Sequence, residues 1–188
     1  MAKRIIITLL IILINNVKAS EMGSETGLTI PRFVSLKSND ANIRVGPSIN
    51  YPITIKYIVK NFPLMIIEEH SNWRKIIDFE QNIGWIHKSL IKGERYGIII
   101  SEENNIIKVY NTLNGKIIGK ITKGNIVSIE KCKIQWCLVS VNKNKGWVNK
   151  RNIWGVKDKE IYKIGRSQIF IDYFIKYSNL VSNYLSSN

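Results

Sequence analysis

From about residue 31 to residue 156 the chain is a succession of short apolar runs rich in Ile, Val, Tyr and Leu, separated by Gly, Pro and Asn. Residues 53–59, 64–68, 73–77, 117–121, 126–130 and 136–141 are examples. Runs of this length between turn residues read as strands, and the spacing predicts an all-β fold. No sustained three-and-four spacing occurs before residue 160. Beyond it, Phe170, Tyr173, Phe174, Tyr177, Leu180, Val181, Tyr184 and Leu185 fall on one helical face. That pattern predicts an amphipathic helix within a tail over 160–188. The helix can pack on the preceding domain or dock a partner.

The first nineteen residues follow another pattern. Lys3 and Arg4 precede an apolar run from Ile5 to Ile14, and a polar stretch ends in Val17-Lys18-Ala19. This is the layout of a secretory signal peptide over 1–19, with cleavage between Ala19 and Ser20. The run is about half the ~20 apolar residues a membrane span needs; an uncleaved anchor is the alternative. Residues 20–31 are rich in Gly, Ser, Glu and Thr and read as a flexible linker.

The apolar pattern repeats. Asn42-Ile43-Arg44-Val45 aligns with Ile106-Ile107-Lys108-Val109, and residues 64–68 with 127–131. Trp73-Arg74-Lys75-Ile76 aligns with Trp136-Cys137-Leu138-Val139, and Ile83-Gly84-Trp85-Ile86 with Lys145-Gly146-Trp147-Val148. The offset stays at 62 to 64 residues. A period near 60 residues is the size of one small β-barrel, which places barrel one at 32–95 and barrel two at 97–156.

Composition changes the picture in one respect. Without the leader, 25 Lys+Arg stand against 14 Asp+Glu, a net charge of +11. Such a surplus favours anionic partners such as envelope polymers or anionic surfaces, and export removes nucleic acid from consideration. A chain so heavy in Ile, Asn and Lys also carries some of that charge as compositional bias.

Candidate chemistry is sparse. His70 sits at a predicted turn beside Glu68 and Glu69, and His87 at a strand end. Both lie in the first repeat, whereas both cysteines, Cys132 and Cys137, lie in the second. A Cys–His nucleophilic pair or a metal site would need them together. No phosphate loop or spaced carboxylate pair is present, so neither an enzyme nor a cofactor is expected.

The first repeat carries Asn42-Ile43-Arg44-Val45-Gly46-Pro47, Tyr51-Pro52-Ile53, Asn72-Trp73-Arg74-Lys75-Ile76 and Gly84-Trp85-Ile86-His87. In these motifs the chain resembles the bacterial SH3-like domain family, in particular exported tandem-domain proteins of alphaproteobacteria. The resemblance covers residues 30–156, and in the second repeat it weakens: Lys108-Val109-Tyr110 stands where the family has Arg-x-Gly-Pro. It implies two tandem SH3-like barrels in an exported, periplasmic, non-catalytic module that binds peptidoglycan or its peptides. The other reading is a periplasmic adaptor, in which a barrel and the tail helix dock an envelope protein. No stable membrane insertion is expected after cleavage of the leader. A ligand face on such a domain would draw on Arg44, Tyr51, Tyr57, Trp73 and Trp85, with Arg74, Lys75, Lys88 and Lys92 among the basic residues between the aromatics. Trp73 and Trp85 serve equally well as core residues.

In the second repeat Cys132 and Cys137 flank the expected hairpin turn. Such residues can lie opposite each other at a separation that permits a disulfide, and the family has similar cysteines in its second domain. Two free buried thiols are the alternative.

Overall fold

A computed structural model describes residues 21–101, 105–113 and 115–165. The expected signal peptide and the helical run beyond Ser167 lie outside the described residues. Those described contain sixteen strands and two short 3-10 turns, an all-β architecture.

The first unit comprises β3 (Arg32–Leu36), β4 (Ala41–Arg44), β5 (Ile53–Tyr57), β6 (Pro63–His70), β7 (Trp73–Ile77), β8 (Ile83–His87) and β9 (Ile91–Lys92), after a hairpin of β1 (Glu21–Met22) and β2 (Thr29–Ile30). The second comprises β10 (Tyr96–Ile99), β11 (Ile106–Tyr110), β12 (Ile117–Thr122), β13 (Ile126–Cys132), β14 (Trp136–Val141), β15 (Asn144–Asn149) and β16 (Ile153–Trp154). The spatial orders are β5-β4-β8-β7-β6-β3-β9 and β12-β11-β15-β14-β13-β10-β16. Adding seven to each label of the first gives the second, so the sequence repeat is a repeat of topology.

Strand alternation sorts each sheet into two faces. In the first, Ile43, Leu64, Ile66, Ile76 and Ile86 point inward and form a closed core with Val34 and Leu36. In the second, Ile107, Val127, Ile129, Val139 and Val148 do the same around Cys132 and Cys137. The glycine before the second tryptophan of each unit lets strands approach closely. A Cβ on Gly84 would run into the Ile43 side chain and the Arg44 carbonyl, and one on Gly146 into Val109.

One expectation needs correction. Residues 21–30 form an ordered hairpin rather than a flexible stretch, because backbone amides and hydroxyls of the 24–26 loop find a buried acceptor on β6, described below. At the tip of β6–β7 Ser71 takes the left-handed conformation, with φ 49°.

The two units touch. Phe33 on β3 meets Trp154 on β16 edge-on at 5.1 Å, and the Ser35 hydroxyl holds the connection between the units, donating to the Glu94 carbonyl at 2.7 Å. Past β16 the chain returns along the second unit: Tyr162 and Cys132 exchange backbone hydrogen bonds of 2.9 and 3.0 Å. The first part of the 160–188 tail is therefore extended and pinned to the second sheet. The Lys150 ammonium anchors it further, donating to the carbonyls of Ile134, Asp158 and Glu160 at 2.9, 3.1 and 2.7 Å. Burial lowers the pKa of Lys150, against the pull of Glu160 and Asp158.

Candidate functional site

The outward face of the first sheet gathers most of the candidate residues. On β7, Trp73 and Lys75 alternate with the inward Arg74 and Ile76; on β8, Trp85 and His87 alternate with the inward Gly84 and Ile86. Pairing sets Lys75 opposite Trp85 and Trp73 opposite His87, while β4 sets Arg44 opposite Trp85. The Lys75 ammonium lies 5.7 Å from the Trp85 ring. His70 meets Trp85 edge-on at 6.3 Å, and His87 meets Trp73 edge-on at 5.4 Å.

Neither tryptophan belongs to the aliphatic cluster at the centre of the first unit, yet both are buried, at 9% and 8% exposed. They form a floor beneath smaller polar and cationic groups rather than free stacking platforms. A tryptophan face under a cation is favourable in itself, by about 0.5–1 kcal/mol at exposed sites. Beside this face runs the loop between β4 and β5. Its carbonyl at Tyr51 accepts from Arg44 Nη1 at 2.7 Å, and the Tyr51 ring lies where a side chain on Gly46 would be. Val45, Ile49, Tyr51 and Ile53 are exposed along this loop and edge strand.

So Arg44, Tyr51, Trp73 and Trp85 are neighbours, joined by Lys75, His70 and His87. Tyr57 is not with them. It packs on the core side against Phe62, with ring centroids 4.8 Å apart, and its hydroxyl donates to buried Asp78. Burial first, and the Asp78 carboxylate second, push the phenol pKa upward. Arg74, expected among the basic residues between the aromatics, is also elsewhere: it points inward and is 4% exposed.

Arg74 leads to the polar cluster that sequence reasoning missed. Its Nε lies 3.4 Å from Glu69 Oε1, and Arg32 Nη2 lies 2.6 Å from the same oxygen. Glu69 also accepts from the amides of Glu25 and Thr26 at 3.0 and 2.9 Å and from the Thr26 hydroxyl at 2.8 Å. Burial opposes the charged carboxylate, but Arg32, Thr26 and the two amides outweigh it and hold the pKa near about 2. One carboxylate thus fastens the 21–30 hairpin and β3 onto the tip of β6–β7.

In the second unit the register Cys132↔Cys137 matches Glu69↔Arg74 in the first. Cys132 and Cys137 are joined in a disulfide. The 63-residue offset that aligned Trp73 with Trp136 also superimposes these two pairs, a signal of linked positions that the difference in residue type had concealed. With both thiols oxidised, neither is a nucleophile. Among the described residues no group of three or more His, Cys, Asp or Glu could hold a metal ion, and no helix is long and apolar enough to cross a membrane.

The family of bacterial SH3 domains matches residues 37–93 and 112–155, more than half of the chain. The chain belongs to the bacterial SH3 domain family. No curated protein matches the sequence. Among solved structures it is similar to an NlpC/P60 family protein from Bacillus cereus ATCC 10987, at 8% identity and a TM-score of 0.29, covering 65% of this chain and 55% of that one. It is also similar to NlpC1 from Trichomonas vaginalis, at 9% identity and a TM-score of 0.30, covering 77% and 52%. NlpC2 from the same organism gives 10% identity and 0.30, covering 66% and 48%. The chain spans about half the length of these structures.

Proposed function

We propose that this SH3 pair is a non-catalytic binding module of the cell envelope, exported to the periplasm, and that it recognises peptidoglycan or its peptides through the outward face of the first unit. The observation that carries this reading is the register that puts Arg44 and Lys75 on either side of Trp85, with Trp73, His70 and His87 adjoining. A floor of aromatic rings beneath cationic groups suits a polymer that alternates apolar sugar faces with carboxylate-bearing peptides. The exposed loop at Tyr51 extends the same surface and offers an apolar margin.

Co-sedimentation with purified peptidoglycan tests the proposal. The protein is expected to pellet with the polymer above a charge-matched control, and more so at low salt. The double variant Arg44→Ala, Lys75→Ala is expected to weaken retention roughly three- to tenfold through loss of two local charges. Retention equal to the control protein, or unchanged in the double variant, overturns the assignment to this face.

A further inference from the structure

A second, separate surface draws attention because of what its arginines leave unused. A crevice of about 510 Å³ opens where the first unit, the connection at Arg95 and the returning tail meet, lined by Thr29, Arg32, Phe33, Arg95, Lys157, Lys159, Glu160 and Ile161. Its charged lining is four cations against one carboxylate. That carboxylate is already committed: Glu160 takes Arg95 Nη1 and Nη2 at 2.6 and 3.1 Å and the Lys157 amide at 3.0 Å. Burial would raise the Glu160 pKa, but Arg95 and the Lys157 amide bring it below the usual carboxylate range, so its charge is neutralised locally by its own partners.

Arg95 is rigidly held. Beyond Glu160 it donates to the Gly155 carbonyl at 2.6 Å, and its guanidinium carbon lies 5.4 Å from the Phe33 ring and 5.3 Å from the Tyr162 ring. Yet its Nε is buried without a hydrogen-bond partner. So is Nη1 of Arg32, whose other terminal nitrogen is spent on Glu69. Among the described residues only three buried side-chain polar atoms lack a partner, the third being on Asn61. Two of the three therefore belong to arginines lining one crevice. Buried donors are almost always satisfied, and leaving an N–H of a cation unpaired is unfavourable. Two arginines fixed in place, each with one unused N–H, and lysines at the margin make an arrangement suited to a planar or tetrahedral oxyanion.

We propose that the crevice between the first SH3 unit and the returning tail is an oxyanion site, binding a carboxylate or phosphate group carried on a larger ligand, with Arg32 and Arg95 as its inner donors and Lys157 and Lys159 as its outer charges. The site stands apart from the Trp73–Trp85 face and does not rest on the peptidoglycan reading. Because its walls come from β2, β3, Arg95 and the tail that is pinned to the second sheet, an occupied site ties the first unit to the second through that tail.

The test is a titration of the ¹⁵N-labelled full-length chain, followed by amide chemical shifts. One arm uses inorganic phosphate and a second uses acetate, each against sodium chloride at equal ionic strength. Saturable shifts confined to residues 29–33, 95 and 157–161 are expected in at least one arm, and the arm that saturates at the lower concentration identifies the group. The exposed pair Lys157→Gln, Lys159→Gln leaves both arginines and their bonds intact, and is expected to raise the apparent Kd about fivefold or more. If neither oxyanion shifts these amides beyond chloride, or if the double variant binds within a factor of two of the parent, the site is refuted.

Discussion

The two units share a strand order and a pair of tryptophans, but they close the same hairpin by different chemistry. At the tip of β6–β7 the inward pair is Glu69 and Arg74; at the tip of β13–β14 it is Cys132 and Cys137. The disulfide is complete in itself and needs nothing from the rest of the chain. The carboxylate has more acceptor capacity than one arginine can fill, and it recruits Arg32, Thr26 and two loop amides. What docks on each tip differs accordingly. The first captures the hairpin that precedes it through side-chain bonds, the second captures the segment that follows it through a backbone bridge at Tyr162. Equivalent positions in a duplicated fold can thus hold either a local staple or a long-range clasp.

Breaking the clasp should have the largest effect. Replacing Glu69 with Ala leaves two arginines facing each other in a buried site. Removing one member of a buried ion pair costs about 3–5 kcal/mol. Urea unfolding followed by backbone amide exchange should show the first unit destabilised by that order while core amides of the second keep their protection. Equal loss in both units would mean that the two do not unfold separately.

Acid tests the same group without mutation. The folded-state pKa of Glu69 is near about 2, against 4.5 for the free side chain. A depressed carboxylate pKa adds stability that is fully present above the unfolded value and is lost as pH falls through the folded one. The window therefore runs from about pH 4.5 down to about pH 2, and the shift corresponds to about 3 kcal/mol. Over that window amide exchange in β6 and β7 should accelerate more than in β13 and β14, whose disulfide carries no proton. A flat profile at β6–β7 would show that the Glu69 clasp does not form in solution.

Reduction probes the other half. The loop closed by Cys132 and Cys137 is short, and the chain-entropy relation gives about 2 kcal/mol for it. The Cys132→Ser, Cys137→Ser variant should lower the stability of the second unit by about that much and leave the first unchanged. A thermal or urea midpoint insensitive to the double substitution would show that packing alone closes this tip.

Exchanging one device for the other sharpens the contrast most finely. With Glu69→Cys and Arg74→Cys, the first tip receives the pair that the second already has at the same register. The bridge should form, yet the amides of Glu25 and Thr26, now without an acceptor, should exchange about tenfold faster or more. Unchanged protection there would show that β1–β2 docks independently of the carboxylate.

Several features are legible in the sequence alone. The strand pattern, the 62–64-residue offset and the placement of a hairpin between Cys132 and Cys137 all follow from local signals: side chains alternate every two residues, turns demand particular residues, and a repeat carries both along. Those signals also set Gly84 in register with Gly146. They left open whether Trp73 and Trp85 were core, because alternation separates two faces without saying which is inside. The answer came from the sheet as a whole: Ile76 and Ile86 join the central aliphatic cluster, and the two tryptophans are buried on the opposite face. Tyr57 was grouped with the ligand face by residue type, and only packing against Phe62 and Asp78 set it apart.

What the amino-acid order determined alone, then, is the β class, the duplication and the family. What the tertiary structure decided is every contact between residues distant in sequence: Thr26 with Glu69, Arg95 with Glu160, Phe33 with Trp154. The first two are 43 and 65 residues apart. Local periodicity encodes which side of a strand a residue occupies, but a polar side chain's partner depends on how separate elements come together. A low-complexity stretch such as 21–30 therefore reads as slack until the buried carboxylate that holds it is in view.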